Sequence, residues 1–162
     1  MAKEVWRGGN MLYPVPAVMV SCRGNDGRSN LITVAWAGTV CSDPAMVSIS
    51  VRPERFSHQL IAESGEFAIN LTTEALVRKA DEAGVRSGRD CNKWELLGLT
   101  EEEASKIKAP LVKESPVNLE CRVTERIPLG THDLFLAEVL AVDVDKSLMD
   151  EKGKFCLEKA KL

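Results

Sequence analysis

The stretch Ser50-Val51-Arg52-Pro53-Glu54-Arg55-Phe56-Ser57-His58 ends one kind of secondary structure and begins another. Before it, Ala45, Val47, Ile49 and Val51 alternate with Ser48, Ser50 and Arg52, the period-two pattern of a strand with one packed face and one polar face. Pro53 has no N–H for a ladder, so the strand stops and the chain turns. Ser57 then stands where a helix cap is expected, ahead of His58-Gln59-Leu60-Ile61-Ala62-Glu63-Ser64, and Gly65 supplies the stop. The first turn of a helix leaves amides unpaired at the positive end of its dipole. An anion beside Ser57 would therefore meet N–H groups, a hydroxyl and the guanidinium groups of Arg52 and Arg55. These residues alone leave two readings open: a phosphate cradle, or two solvated arginines next to an ordinary cap.

Upstream, Ser29 to Val40 is β-prone but interrupted by Ala35, Ala37 and Gly38, so a flat ligand can approach its backbone closely. Such a ring could read main-chain N–H groups there while a phosphate tail sits at Ser57. Val15–Cys22 and Asn30–Trp36 flank the turn Gly24-Asn25-Asp26-Gly27 and predict a hairpin. Ala45–Arg52 is the third strand and Glu66–Leu71 the fourth. Thr73 to Gly84 predicts a helix with a threonine cap and a glycine stop. Val85–Leu99 is expected as a partly helical excursion, with a further helical turn around Glu101–Ala104. Val117–Arg126 alternates as a strand, and Asp133–Val144 is apolar enough on both faces to be buried or to lie at a subunit interface. Lys154–Leu157 is expected to add a short strand or pack as a tail. Six or so strands with helical excursions make this chain mainly β, a small closed or split β-barrel whose closure removes exposed edges. Neither a βαβ rhythm nor a glycine-rich nucleotide motif of the Rossmann or P-loop kind is present.

The 162 residues suit a single domain, 1–162, with a substantial core. A hydrophobic content of 44% argues against disorder, and a net charge of −3 offers no general attraction to nucleic acid. The start of the chain lacks the apolar run of a signal peptide, and no segment has the length of a membrane span. A cytoplasmic protein without a membrane partner is expected. The five cysteines include no C-x-x-C pair, so neither a disulfide framework nor a zinc-ribbon spacing is present, and no metal site is expected. Cys22 and Cys121 alternate with apolar neighbours and read as core residues. Cys41 and Cys91 lie near the proposed ligand segments, which makes them candidates for redox sensitivity, and no catalytic role is assigned to either. No Ser/His/Asp order or carboxylate pair stands out, so no side chain is named as catalytic.

Taken in order, Asn30–Trp36, Asp43-Pro44, Ser48–His58, Glu66–Leu71, Ser87-Gly88-Arg89-Asp90-Cys91-Asn92-Lys93-Trp94 and Gly130-Thr131-His132-Asp133-Leu134-Phe135 resemble the flavin reductase-like, FMN-binding split-barrel family, in particular its flavoredoxin branch. The resemblance runs from about Val15 to Val144. It implies a six-stranded Greek-key split barrel, bound FMN and a homodimer. Asn30, Thr33, Val34, Ala35 and Trp36 would lie along the isoalloxazine, with main-chain groups addressing its polar edge. Ser50, Val51, Arg52, Phe56 and Ser57, with His58 close by, would surround the ribityl phosphate. Arg89 and Lys93 would be further cationic contacts, supplied across a dimer interface, and His132 would approach the flavin or a nicotinamide. Asn92 and Trp94 depart from the aspartate and phenylalanine usual in the family around Lys93. In such a site the cofactor carries the redox chemistry and the protein positions it. Two functions follow from the resemblance: an oxidoreductase passing hydride from NADH or NADPH through FMN to an acceptor, or a flavoredoxin-like carrier reduced by a protein partner, with no nicotinamide site.

Overall fold

A computed structural model describes residues 1–162. The first hairpin pairs β1 (Val18–Arg23) with β2 (Ser29–Val34) across a tight turn in which Gly27 takes a φ of 84°. The chain continues through β3 (Ala37–Ser42), β4 (Ala45–Val51), helix α1 (Phe56–Ser64) and β5 (Glu66–Asn70). Helices α2 (Val77–Val85) and α3 (Lys93–Leu97) follow, then the short strands β6 (Glu101–Glu102) and β7 (Leu111–Val112). Two long strands, β8 (Val117–Pro128) and β9 (Asp133–Val144), complete the sheet. Seven strands form one antiparallel sheet in the order β2-β1-β5-β8-β9-β4-β3.

The alternation read in the third strand holds. Val47, Ile49 and Val51 are buried and face a core that includes Val20, Phe67, Cys121 and Phe135. Leu60 and Ile61 of α1 close that core from one end, and Gly65 terminates the helix in the left-handed region at φ 70°. A second apolar cluster lies on the other side of the hairpin, where Met19 and Leu31 pack against Leu76, Ala80, Ala83, Trp94 and Leu97. This cluster presses α2 and α3 onto β2, and with them the loop between the two helices.

Several local expectations are corrected. Expected strands numbered about six, whereas the main sheet has seven, because Ala35 and Trp36 break the β-prone run and Ala37–Ser42 pairs separately with β4. The helix expected over 73–84 is one 3-10 turn, Glu74–Leu76, followed by α2, and Thr73 makes no side-chain cap. Gly84 lies inside α2 instead of stopping it; a Cβ there would sit 3.3 Å from the Thr33 side chain, so its bareness serves helix–strand packing. The helical turn expected near Glu101 is a strand paired with Leu111–Val112, and Glu101 is tied by its carboxylate to Arg23 at 2.6 Å. Near the carboxy terminus Phe155 bridges to Met149, and a 3-10 turn buries Ala160 against Val117 and Leu148. No helix is long and apolar enough to cross a membrane.

Candidate functional site

Helix α1 begins two residues earlier than expected. Arg55, not Ser57, holds the cap position, with extended backbone and no side-chain cap bond. Ser57 lies within the first turn, and its hydroxyl accepts a hydrogen bond from Asn30 Nδ2 at 2.9 Å. The amide of His58 donates to the Arg55 carbonyl at 3.0 Å, while the Phe56 and Ser57 amides have no acceptor. Two free N–H groups thus remain at the positive end of a nine-residue helix.

Around this helix start lies a cavity of about 150 Å³. Asn30, Arg55, Phe56 and Ser57 form one wall; Arg86, Ser87, Gly88, Arg89 and Lys93 form the other. Four cations therefore face one carboxylate, Glu54, across a small space. Arg89 is fixed by donating to the Glu54 carbonyl at 2.7 Å, and its guanidinium lies 5.5 Å from the centre of the Phe56 ring. The Lys93 side chain is buried and donates to the carbonyls of Leu31 at 2.8 Å and Ala83 at 2.6 Å. Burial pulls its pKa down to about 8; Cys91 and Cys22 oppose that shift, and Arg55 adds to it. Gly88 is in contact with the Asn30 amide, where a Cβ would come within 2.3 Å of Oδ1.

A second cavity of about 150 Å³ adjoins the first, sharing Ile32 and Arg55 with it. Thr33, Val34, Ala35 and Trp36 line it on one side, Ser50, Val51, Arg52 and His132 on the other. Strand β2 is an edge of the sheet, and its main-chain groups point alternately to the two sides. Since the Leu31 carbonyl is taken by Lys93 and not by β1, the N–H and C=O of Thr33 face the same open edge. The rings of Trp36 and His132 meet at 4.7 Å, tilted by 42°. Partial burial, together with Arg52, holds His132 below its ordinary pKa, with Glu54 opposing.

Most residues implied by the resemblance are brought together, but not all at the expected end. Ser50, Val51 and Arg52 belong to the second lobe, and Arg52 is half exposed and paired with Glu54 at 3.4 Å. Arg89 and Lys93 line the first lobe from the same chain as Ser57. His58 is turned away from both lobes. Its Nε2 lies 2.8 Å from Asp133 Oδ2, and its ring stands edge-on to Phe135 in the core. Strand β9 places Asp133 opposite Val51, and a buried carboxylate there draws the imidazole inward. Arg55, which faces both lobes, was legible as a converging charge but not as a member of the implied set. Ser87 and Gly88 belong to a segment that carries the resemblance but are given no site role by it, and Arg86 is not among the residues it implies. Cys22 and Cys121 are buried, with pKa values pushed up by burial to about 12.

The fold and the two-lobed cleft define a split-barrel protein with a cationic end and a main-chain edge. The chain belongs to the flavin reductase like domain family, which matches residues 10–157. It is 33% identical to the flavoredoxin of Desulfovibrio vulgaris (Miyazaki F), with a TM-score of 0.90 over 98% of this chain and 85% of that one. It is 25% identical to an FMN-binding protein from Thermus thermophilus, with a TM-score of 0.80 over 96% of this chain and 84% of that one. A protein of Archaeoglobus fulgidus is 34% identical over 152 residues, covering 94% of this chain and 85% of the relative.

Proposed function

We propose that this chain binds FMN and passes electrons through it. The observation that carries the proposal is the meeting of the two lobes at Ile32 and Arg55: one end concentrates Arg55, Arg86, Arg89 and Lys93, the other exposes the outer edge of β2. A phosphate attached to a flat polar ring is the ligand chemistry that suits both ends at once. FMN has that form, and one similar structure is of a protein named as FMN-binding.

In this reading Arg55, Arg89 and Lys93, with the free amides of Phe56 and Ser57, hold the phosphate. Thr33 offers its main-chain N–H and C=O to the ring, while Trp36 and His132 flank the ring lobe and limit water there. The bound flavin supplies hydride or single-electron chemistry, so the protein needs no nucleophile or general acid of its own. The reductant is NADH or NADPH, and the acceptor is a small molecule or a second protein. A carrier function, with a protein donor and no nicotinamide site, is the second reading, favoured by the 33% identity to a flavoredoxin. Anaerobic mixing of the flavin-loaded protein with NADH or NADPH separates them. Rapid bleaching of the oxidised flavin supports the reductase; persistence of the oxidised spectrum with either nucleotide overturns it and leaves the carrier. Failure of the protein to retain FMN rejects both.

The same proposal includes a homodimer. Its support is apolar surface: Trp6, Leu12 and Tyr13 are 75%, 86% and 69% exposed, and Val142 of β9 is 54% exposed. Light scattering that returns the mass of one chain would reject the dimer. Five cysteines free of disulfides accord with a reducing, cytoplasmic setting.

A further inference from the structure

We propose that Glu120 and Asp143 share one proton, and that this acid pair is a pH-sensitive latch holding the 103–110 loop against the sheet. The inference is independent of the flavin reading, since neither residue lines either lobe. The loop joins β6 to β7 and buries Ile107 and Ala109 against Ala68, on the face of the sheet opposite the main core. Glu120 of β8 is fully buried, and its carboxylate fastens the loop. Oε1 accepts from the Ser105 amide and hydroxyl, both at 2.8 Å, and Oε2 accepts from the Lys106 amide at 2.6 Å. One acceptor position of the carboxylate remains.

The register of the long strands brings Asp143 to that position. Glu120 lies opposite Ala141 and Asp143 opposite Asn118, so the two carboxyls are diagonal neighbours on one face. They hydrogen-bond to each other, which two ionised carboxylates cannot do. Asp143 Oδ2 is buried with no donor of the protein in reach. Asn118 uses its Nδ2 on Asn70 Oδ1 at 2.7 Å and on the Val112 carbonyl at 3.2 Å. A proton on Asp143, donated to Glu120, is what satisfies both carboxyls. Burial, the Glu120 charge and their hydrogen bond hold Asp143 above its ordinary pKa, and Glu102 of β6 adds to this. Burial also opposes ionisation of Glu120, but the donors of Ser105 and Lys106 outweigh it and hold that group below its ordinary value. Glu66 of β5 is engaged by the Lys108 amide at 2.8 Å and by Arg122 at 3.2 Å, and no lysine or arginine forms an ion pair with Glu120 or Asp143. Loss of the shared proton therefore leaves two adjacent buried anions with no cation between them. A cavity of about 420 Å³ between the loop and Arg23 gives the loop room to move away. The folded chain keeps its proton above the ordinary aspartate range, so the latch weakens as pH rises through the raised Asp143 value.

Amide hydrogen exchange of the full-length protein, read residue by residue and corrected for its intrinsic pH dependence, tests the latch. Between about pH 5 and about pH 9 the protection of the Ser105 and Lys106 amides should fall by roughly tenfold, the change that one pKa unit produces. The Ile69 amide, in a central strand, should keep its protection. Asp143→Asn donates at every pH and should abolish the fall. Carbon-13 titration of the wild-type carboxyls gives a second readout, with Asp143 titrating above and Glu120 below the ordinary range. Protection of the loop amides that stays constant with pH, or falls equally in Asp143→Asn, overturns the latch. So do two carboxyls that both titrate in their ordinary ranges. Should Asp143→Asn fail to fold, the wild-type carbon-13 titration decides alone.

Discussion

A Cβ added to Gly88 would lie 2.3 Å from Oδ1 of Asn30, so these residues touch with no room for a side chain between them. Asn30 cannot easily yield, because its Nδ2 holds the Ser57 hydroxyl at 2.9 Å. The loop carrying Arg86, Arg89 and Lys93 is thereby seated against the strand–helix junction that carries Arg55 and Ser57. Gly88→Ala should push that loop outward and weaken FMN by about tenfold, with a loss of stability of about 1–3 kcal/mol from overpacking. Flavin titration and urea unfolding measure the two effects; unchanged affinity would show that the contact does not set the width of the lobe.

The positions of Arg52 and Arg55 make opposite forecasts for variants that look equivalent. Arg55 faces both lobes, whereas Arg52 faces only the ring lobe and is paired with Glu54. Arg55→Ala should cost about 1.5–3 kcal/mol of FMN binding and much less of riboflavin binding. Arg52→Ala should affect the two ligands alike. Equal discrimination between FMN and riboflavin in both variants would move the phosphate away from Arg55.

Lys93 brings a pH dependence. Its pKa in the folded chain, about 8, lies below the ordinary 10.5, so the folded state binds fewer protons than the unfolded state between these values. This group therefore makes the protein more stable as pH rises through that window. A bound phosphate favours the ammonium form, so FMN binding takes up a proton above about pH 8. The advantage of FMN over riboflavin should shrink as pH rises beyond about 8, and Lys93→Met should flatten that change. Calorimetric titrations of both ligands across this range, in two buffers, report the proton directly.

His58 and Asp133 are predicted to act on the fold and, through it, on the helix start. Asp133 accepts from His58 and lies 3.5 Å from Arg126 Nε, tying α1 to both long strands. Asp133→Ala strands a buried imidazole and should cost about 1–3 kcal/mol. His58→Phe with Asp133→Leu should recover part of that loss, because both partners are then apolar. A double-mutant cycle in urea unfolding checks this; strict additivity would mean that the pair is not coupled.

Much of the barrel was legible because its signals are local. Val47, Ile49 and Val51 alternate, Gly65 provides the positive φ that ends α1, and Cys22 and Cys121 sit among apolar neighbours that bury them. The errors fell where a local signal had two physical uses. Gly84 reads as a helix stop but permits close packing on Thr33, and Ser57 reads as a cap but receives a hydrogen bond from Asn30.

What the amino-acid order determined by itself was the run of strand, turn and helix from Ala45 to Gly65, together with the charges and apolar faces that this segment displays. Tertiary structure alone decided which side chains meet. Asn30 reaches Ser57 across 27 positions, Lys93 reaches the Leu31 carbonyl across 62, and His58 reaches Asp133 across 75. Each pairing depends on the order in which strands join the sheet and on which face a helix covers. Short-range periodicity carries neither, so the cationic lobe was foreseeable as a concentration of charge, whereas the inward turn of His58 required the folded sheet.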